Sequence, residues 1–273
     1  MSGLNWLSTD KQMLSISGVR LEVQTWGPPP QEAPTLVLLH EGLGSVAMWR
    51  DFPEKMSVAT GLGVFAYSRQ GYGNSDPCNL PRPLDYMERE ASQVLPSLLE
   101  AASIQESVLL GHSDGASIAA LHQSNPGADQ VRGLVLMAPH FFVEDISVES
   151  IRNVRTAWRE TDLSDRLGKY HASPENAFRG WNDAWLDAGF RDWNITDCID
   201  AISVPCMAIQ GRLDEYGTAA QVEVLSKHSR AEVEIHLLDD CGHSPHKDQP
   251  DQTIALISAF TKRILKRQQV PAQ

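Results

Sequence analysis

The chain is poor in cysteine, has no excess of positive charge and contains no long apolar run. Its four cysteines among 273 residues show neither paired spacing nor a C-x-x-C motif, so we expect reduced thiols. No segment approaches the roughly eighteen apolar residues that span a bilayer. Asp10 and Lys11 interrupt the stretch where a signal peptide would need an apolar core. These features predict a cytoplasmic protein with no membrane partner.

The charge balance excludes another class of partner. The formal net charge is −12, from 23 Lys and Arg against 35 Asp and Glu. Nucleic acids and anionic membranes both require a basic face, so neither is expected as a partner. With 42% hydrophobic and 21% charged residues, the composition is ordinary for a soluble globular protein. A chain of this length buries a core without help from disulfides or a metal ion.

Apolar runs typical of buried strands alternate with helical patterns along the chain. Two alternating stretches around Ser17-Gly18 predict an opening β-hairpin over 13–27. Further strands are predicted over 35–40, 63–68, 107–112, 131–138, 205–211 and 232–238. Helices are predicted over 46–59, 83–102, 114–124, 218–228 and 250–266, before a frayed tail, QQVPAQ. This alternation predicts an α/β fold: a mainly parallel central sheet with helices on both faces.

The interval 139–204 breaks that rhythm. It shows a helical pattern over 148–160 but no convincing strand, and it holds four of the seven tryptophans and four of the seven phenylalanines. We expect an aromatic-rich helical lid over 139–204, inserted after the sixth strand. Residues 1–138 and 205–273 then form the core.

The segment LLGHSDGAS (109–117) has the features of a nucleophile elbow. The predicted strand 107–112 runs directly into G-x-S-x-G and then into a helix. Such a turn strains the middle residue, while its flanking glycines allow close backbone approach. Ser113 is therefore the predicted nucleophile, with the side chains of His112 and Asp114 directed elsewhere.

The pentapeptide alone is weak evidence, but an acid and a histidine follow in the required order. Asp214 follows strand 205–211 in GRLDEYG, and His243 follows strand 232–238 in DDCGHSPH. A histidine activates a serine by taking its proton, and a carboxylate orients that histidine. Ser113, His243 and Asp214 are thus the candidate catalytic residues.

Several residues compete for these roles. His246 is the rival to His243, and Glu215 is the rival to Asp214. Glu144 and Asp145 offer a different acid position after the sixth strand. Cys241, His243 and His246 superficially resemble metal ligands, but zinc would need a fourth ligand and would compete for the base. We therefore expect no metal.

At these motifs the chain resembles the α/β-hydrolase superfamily, across nearly its whole length. The similar stretches are LLHEGLGS, YSRQGYGNSD, LLGHSDGAS, IQGRLDEYG and CGHSPHKDQP. The resemblance implies the α/β-hydrolase fold, with Ser113 as nucleophile, His243 as base and then acid, and Asp214 as the group that orients His243. It implies no metal and no organic cofactor.

The resemblance also implies an oxyanion hole made of two backbone N–H groups. One belongs to Asp114 and the other to Gly42, with Leu43 as the next candidate. Glu41 stands where the family usually has glycine, so a carboxylate is expected beside this hole, with Arg69 as one candidate partner. A further departure is Ser68, which occupies a frequent aspartate position.

The predicted function is hydrolysis of a small-molecule substrate, a fairly apolar carboxylic ester or lactone, through an acyl-enzyme on Ser113. Leu43, Glu41, Phe141, Trp158 and Trp185 are the candidate substrate-binding residues, and one lid arginine is a candidate for binding a substrate carboxylate. The alternatives are C–C bond hydrolysis of a vinylogous diketone, thioester hydrolysis and, in another class, a non-catalytic ligand-binding module.

Overall fold

A computed structural model describes residues 4–268 of the chain. Its eight strands are β1 (Gln12–Ile16), β2 (Val19–Trp26), β3 (Thr35–Leu39), β4 (Gly63–Tyr67), β5 (Ser107–His112), β6 (Val131–Met137), β7 (Cys206–Gly211) and β8 (Val233–Leu238). They form one sheet in the order β1-β2-β4-β3-β5-β6-β7-β8. β1 and β2 pair antiparallel, as do β2 and β4, and every later pairing is parallel. The predicted α/β-hydrolase fold, with its mainly parallel sheet, is confirmed.

The central strands are apolar throughout because both faces of the sheet are covered. Successive residues of β3 alternate between two buried clusters, with Val37 and Leu39 in one and Leu36 and Leu38 in the other. β3, β4, β5 and β7 are buried along their whole length. Strand β8 lies at the edge and is mostly half-buried.

The helices cover the two faces unequally. They are α1 (Phe52–Thr60), α2 (Tyr86–Arg89), α3 (Leu95–Ala101), α4 (Asp114–Ser124), α5 (Asp145–Glu160), α6 (Leu163–Leu167), α7 (Pro174–Trp185), α8 (Ala220–His228), α9 (Pro245–Asp248) and α10 (Pro250–Gln268). α1 and α10 pack on one face, while α3, α4 and α8 pack on the other. No helix within residues 4–268 is long and apolar enough to cross a membrane.

Two predicted helices are less regular than their patterns suggest. The helix predicted over 46–59 is a 3₁₀ turn, Val46–Trp49, followed by α1, because Arg50 between them has a left-handed φ of 53°. The helix predicted over 83–102 begins at Tyr86 and contains a π-helical turn, Glu90–Val94, between α2 and α3. The remaining predicted helices start within three residues of their expected positions. The predicted tail at 268–273 lies, after Gln268, outside the described residues.

Segment 139–204 is helical, as its pattern indicates. It contains α5, α6 and α7, two 3₁₀ turns and one isolated β-bridge between Phe142 and Asn194. Its aromatic side chains, including Phe178 and Trp181, belong to the same buried cluster as the sheet residues below. We call residues 139–204 the insertion, and the division of the chain into core and lid stays a prediction.

Candidate active site

The candidate residues follow the carboxyl ends of parallel strands. Ser113 follows β5, Asp214 follows β7, His243 follows β8, and Gly42 follows β3. Because these strands run in the same direction, the four segments meet at one edge of the sheet, where α/β folds bind their ligands.

Ser113 occupies a strained turn between β5 and α4. Its backbone has φ 54° and ψ −121°, a conformation that costs a non-glycine residue of the order of 1–3 kcal/mol. Glycines are required on both sides: a methyl group on Gly111 would lie 2.3 Å from the Gly115 carbonyl oxygen. One on Gly115 would lie 2.1 Å from the Leu39 carbonyl oxygen. The predicted elbow geometry is therefore present, and the serine is 94% buried at the wall of a cavity.

His243 and Asp214 form a direct pair. His243 Nδ1 lies 2.9 Å from each carboxylate oxygen of Asp214. A carboxylate accepts hydrogen bonds, so Nδ1 carries the proton and Nε2 is left as the basic nitrogen. Ser113 and His243 both line the same cavity.

Asp214 is held as an ionised acceptor. Its oxygens also accept hydrogen bonds from the backbone N–H of Tyr216, at 2.8 Å, and from Gln210 Nε2, at 2.7 Å. Burial alone would raise the pKa of Asp214, but the hydrogen bond and charge of His243 together with the Tyr216 N–H lower it below its ordinary value. The carboxylate is therefore charged throughout the neutral range.

The rival residues make other contacts than the candidate catalytic residues do. His246 is buried between Trp49 and Phe52, and burial lowers its pKa well below the ordinary value. Glu144 accepts hydrogen bonds from Thr218 and Gln221, and the exposed Asp145 pairs with Arg191. Glu215 lies at the cavity wall but makes no contact with His243 like that of Asp214.

The cavity has a volume of about 260 Å³ and draws its walls from the core and the insertion. It is lined by Glu41, Gly42, Leu43, His112, Ser113, Asp114, His140, Ser147, Ile151, Trp181, Trp185, Glu215, Tyr216, His243 and Ser244. Three of the candidate substrate-binding residues, Leu43, Glu41 and Trp185, line this cavity, and their contact with a substrate stays a prediction.

Phe141 and Trp158 do not line the cavity, contrary to the sequence prediction. Phe141 is fully buried in the core, where its backbone N–H donates to Gln221. Trp158 stacks on Phe178 with ring centroids 4.1 Å apart, so its face is already occupied within the insertion. Both tryptophan and phenylalanine bury large areas, and here that packing determines their positions.

The expected partner of Glu41 is also corrected. Arg69 donates to the backbone carbonyl oxygens of His40 and Glu41, not to the Glu41 carboxylate. The carboxylate lies instead 3.4 Å from His112 Nδ1 and 3.5 Å from Lys247 Nζ.

Asp114 has a side-chain role that sequence reasoning missed. The carboxylate is fully buried and accepts hydrogen bonds from the Tyr86 hydroxyl, at 2.6 Å, and from Trp185 Nε1, at 3.2 Å. It thereby connects the elbow to the insertion. As the first residue of α4, Asp114 also has a backbone N–H without a carbonyl partner inside the helix.

His140 is a second missed residue. It follows β6 at the same sheet edge, a position that marks a site residue in this kind of fold. Its ring lies edge-on to Trp185 and 5.7 Å from the His243 ring. Burial and the nearby His243 lower the pKa of His140 to about 3, so it lines the cavity as a neutral ring.

The insertion is bonded directly to the loop that carries Gly42. His171 Nε2 donates to the Leu43 carbonyl, at 3.0 Å, and His171 Nδ1 accepts from the Gly73 N–H, at 2.9 Å. Asn176 exchanges hydrogen bonds with the backbone of Cys78. A methyl group on Gly42 would lie 2.2 Å from Trp181 Nε1, so the indole covers this glycine closely.

Comparison with known proteins agrees with this architecture. A model of the Alpha/beta hydrolase family matches residues 36–256. Serine hydrolase BPHL of Homo sapiens is 27% identical over 93% of this chain and 87% of its own length. Among solved structures, proline iminopeptidase of Mycobacterium smegmatis superposes with a TM-score of 0.73 at 17% identity, covering 93% of this chain and 98% of that one. The enol-lactonase of Burkholderia xenovorans LB400 gives 0.71 at 17% identity, covering 92% and 100%.

The fold and these matches define a hydrolase of the α/β class. The chain belongs to the Alpha/beta hydrolase family, whose model spans most of its length.

Proposed function

We propose that the chain is a serine hydrolase that cleaves a small, fairly apolar carboxylic ester or lactone through an acyl-enzyme on Ser113. The observation that carries this proposal is the His243–Asp214 pair, with Nδ1 at 2.9 Å from both oxygens, beside a cavity that also contains the strained Ser113. A serine hydroxyl is weakly nucleophilic until a base takes its proton.

The reaction then has two halves. His243 Nε2 removes the proton as Ser113 Oγ attacks the ester carbonyl, and the N–H groups of Asp114 and Gly42 stabilise the resulting oxyanion. Collapse of this intermediate breaks the C–O bond, and His243 protonates the departing alcohol. Water, activated by the same nitrogen, attacks the acyl-enzyme and releases the acid and the free serine.

A serine-directed probe tests the nucleophile. A fluorophosphonate should add to Ser113, because His243 raises the reactivity of that hydroxyl alone. Mass spectrometry of the labelled peptide should place the adduct on Ser113 by fragment ions that separate it from Ser117. An adduct on Ser117, or no adduct after long incubation, would contradict the proposal.

The cavity wall supports a neutral substrate. Apolar and aromatic side chains, including Ile151, Trp181 and Tyr216, form much of it. Its carboxylates are Glu41, Asp114 and Glu215, while no Lys or Arg of the described chain lines it. The insertion arginines therefore lie outside the cavity, and a substrate carboxylate would meet charges of its own sign.

Two esters of equal acyl length test this electrostatic selection. We expect kcat/KM for p-nitrophenyl hexanoate to exceed that for p-nitrophenyl hydrogen adipate by at least about tenfold, since like charges in a partly dry site repel by more than about 1.4 kcal/mol. Initial rates, corrected for spontaneous hydrolysis, give the ratio. Raising the ionic strength should lower the ratio of the two kcat/KM values only slightly, because buried charges are poorly screened. Equal or faster turnover of the adipate ester would rule out a neutral-selective cavity.

Lactones belong in the same screen. The solved enol-lactonase shares the fold, and a lactone carbonyl presents the same electrophile as an open ester. Thioesters and ring-fission diketones serve as the comparison classes.

A further inference from the structure

Glu41 is a carboxylate of the cavity wall that takes no part in the proposed reaction. It precedes Gly42, the candidate oxyanion donor, in the loop after β3. Its side chain is 16% exposed, with Oε2 3.4 Å from His112 Nδ1 and Oε1 3.5 Å from Lys247 Nζ. These two partners belong to different segments: His112 ends β5, and Lys247 lies in α9.

His112 extends this contact to the base. Its Nε2 lies 2.7 Å from the backbone carbonyl oxygen of His243. A carbonyl oxygen only accepts, so Nε2 is the donor. The ring is 1% exposed and is held between Trp49 and His246. Glu41 thus reaches the His243 segment by two routes, through His112 and through Lys247.

The charge on Glu41 is stable. Burial alone would raise the pKa of Glu41, but the positive charge of Lys247 and the contact with His112 outweigh it and hold the pKa well below its ordinary value. The carboxylate is therefore ionised, attracts the Lys247 ammonium at neutral pH, and packs against the His112 ring.

The backbone of Glu41 is fixed as well. Its carbonyl oxygen accepts from the Gly44 N–H, at 3.0 Å, and from Arg69 Nη2, also at 3.0 Å. The carboxylate folds back over this turn so closely that a methyl group on Gly44 would lie 2.4 Å from Glu41 Oε2. The carboxylate is therefore packed directly against the turn that contains Gly42.

We propose that Glu41 is a positioning residue that fixes the Gly42 loop against the elbow and the His243 segment. It keeps the oxyanion donor, the nucleophile and the base at their working separations through His112 and Lys247. This inference rests on the proposed function, since it assigns Glu41 to the same site. A misplacement of about 1 Å in such a site costs up to about 100-fold in rate.

Glu41→Gln is the variant that tests the proposal, because it keeps the shape and removes the charge. We expect kcat for p-nitrophenyl hexanoate to fall by about 10- to 100-fold, with KM within about twofold of the parent value. Glu106→Gln is the matched control: it removes a carboxylate that pairs with Arg132 at the opposite end of β5, and it should leave kcat unchanged. A merely structural role would not separate kcat from KM in this way.

Coupling with His112 provides the second measurement. His112→Gln keeps a donor for the His243 carbonyl but loses the contact with Glu41. The double variant Glu41→Gln/His112→Gln should therefore lose clearly less activity than the product of the two single losses. If Glu41→Gln does not fold, Lys247→Met removes the other partner from a half-exposed position and should lower kcat by about threefold or more, again at constant KM.

Two outcomes would overturn the proposal. One is a Glu41→Gln enzyme with kcat within twofold of the parent. The other is a raised KM at constant kcat, which would make Glu41 a substrate-binding group. The Ser113→Ala variant, measured in the same assay, distinguishes failure of the proposed function from failure of the positioning role. Activity in Ser113→Ala refutes the proposed function. An inactive Ser113→Ala together with a fully active Glu41→Gln refutes only the positioning role.

Discussion

Ser113→Ala is expected to lower kcat for short p-nitrophenyl esters by at least about 1,000-fold while leaving the protein folded. The loss is large because the proposed acyl-enzyme would form on the missing oxygen, and only the proposed oxyanion stabilisation and substrate binding would remain. Alanine fits the site, since its side chain is smaller than that of serine. Initial rates over the full range of ester concentration give kcat.

The control for this variant lies on the same helix. Ser124→Ala removes a hydroxyl at the end of α4 that donates to the Leu121 carbonyl, far from the cavity, and should leave kcat unchanged. Circular dichroism and the unfolding temperature should be the same for all three proteins. Retention of more than a few per cent of the activity in Ser113→Ala would refute the proposed nucleophile.

Asp214→Asn is expected to lower kcat by about 10,000-fold. Three donors besides His243, the Tyr216 N–H, the Gly217 N–H and Gln210 Nε2, already point at this side chain, so the new amide cannot satisfy every partner. If the amide NH₂ faces His243, the imidazole proton moves to Nε2 and the base nitrogen is lost. The measurement is kcat for the hexanoate ester at pH 8.

The pH dependence of the parent enzyme gives a further check on Asp214. Its pKa in the folded protein lies below the ordinary value, so the carboxylate remains ionised as the pH falls to about 4. Its contribution to stability is present above its unfolded pKa and is lost as the pH falls through the lower folded pKa. Loss of activity between pH 7 and 5 therefore reports another group.

Asp239→Asn is the matched control for Asp214. It lies after β8, is largely exposed, and pairs with Arg212. Its activity should equal that of the parent. A normal rate in Asp214→Asn would show that another acid orients the histidine.

The sheet and the elbow could be predicted from sequence because their signals are local. A strand buried on both faces is apolar at every position, as β3 and β5 are, and the strained turn at Ser113 demands its flanking glycines. The chain order of Asp214 and His243 then follows from where the strands end.

Other features depend on residues distant in sequence. The Asp114 carboxylate bonds with Tyr86 and Trp185, which lie 28 and 71 residues away, and no local pattern reports such contacts. For the same reason the aromatic content of the insertion gave no means of separating Trp185, at the cavity, from Trp158, stacked on Phe178. The π-helical turn at Glu90–Val94 likewise shows no signature in the helical pattern of its sequence.

The bonds between the insertion and the core loops bear on recombination between family members. His171 connects the insertion to Leu43 and Gly73, Asn176 connects it to Cys78, and the Trp181 indole covers Gly42. If residues 139–204 were replaced by the insertion of another hydrolase, the new insertion would lack the loop residues with which it forms these contacts. Chimeras that take the loops at 40–44 and 71–78 and the insertion from the same donor should fold and hydrolyse the ester. Exchange of the insertion alone should leave a distorted site. The insertion and those two loops must therefore be exchanged together, although the three segments are separate in the chain.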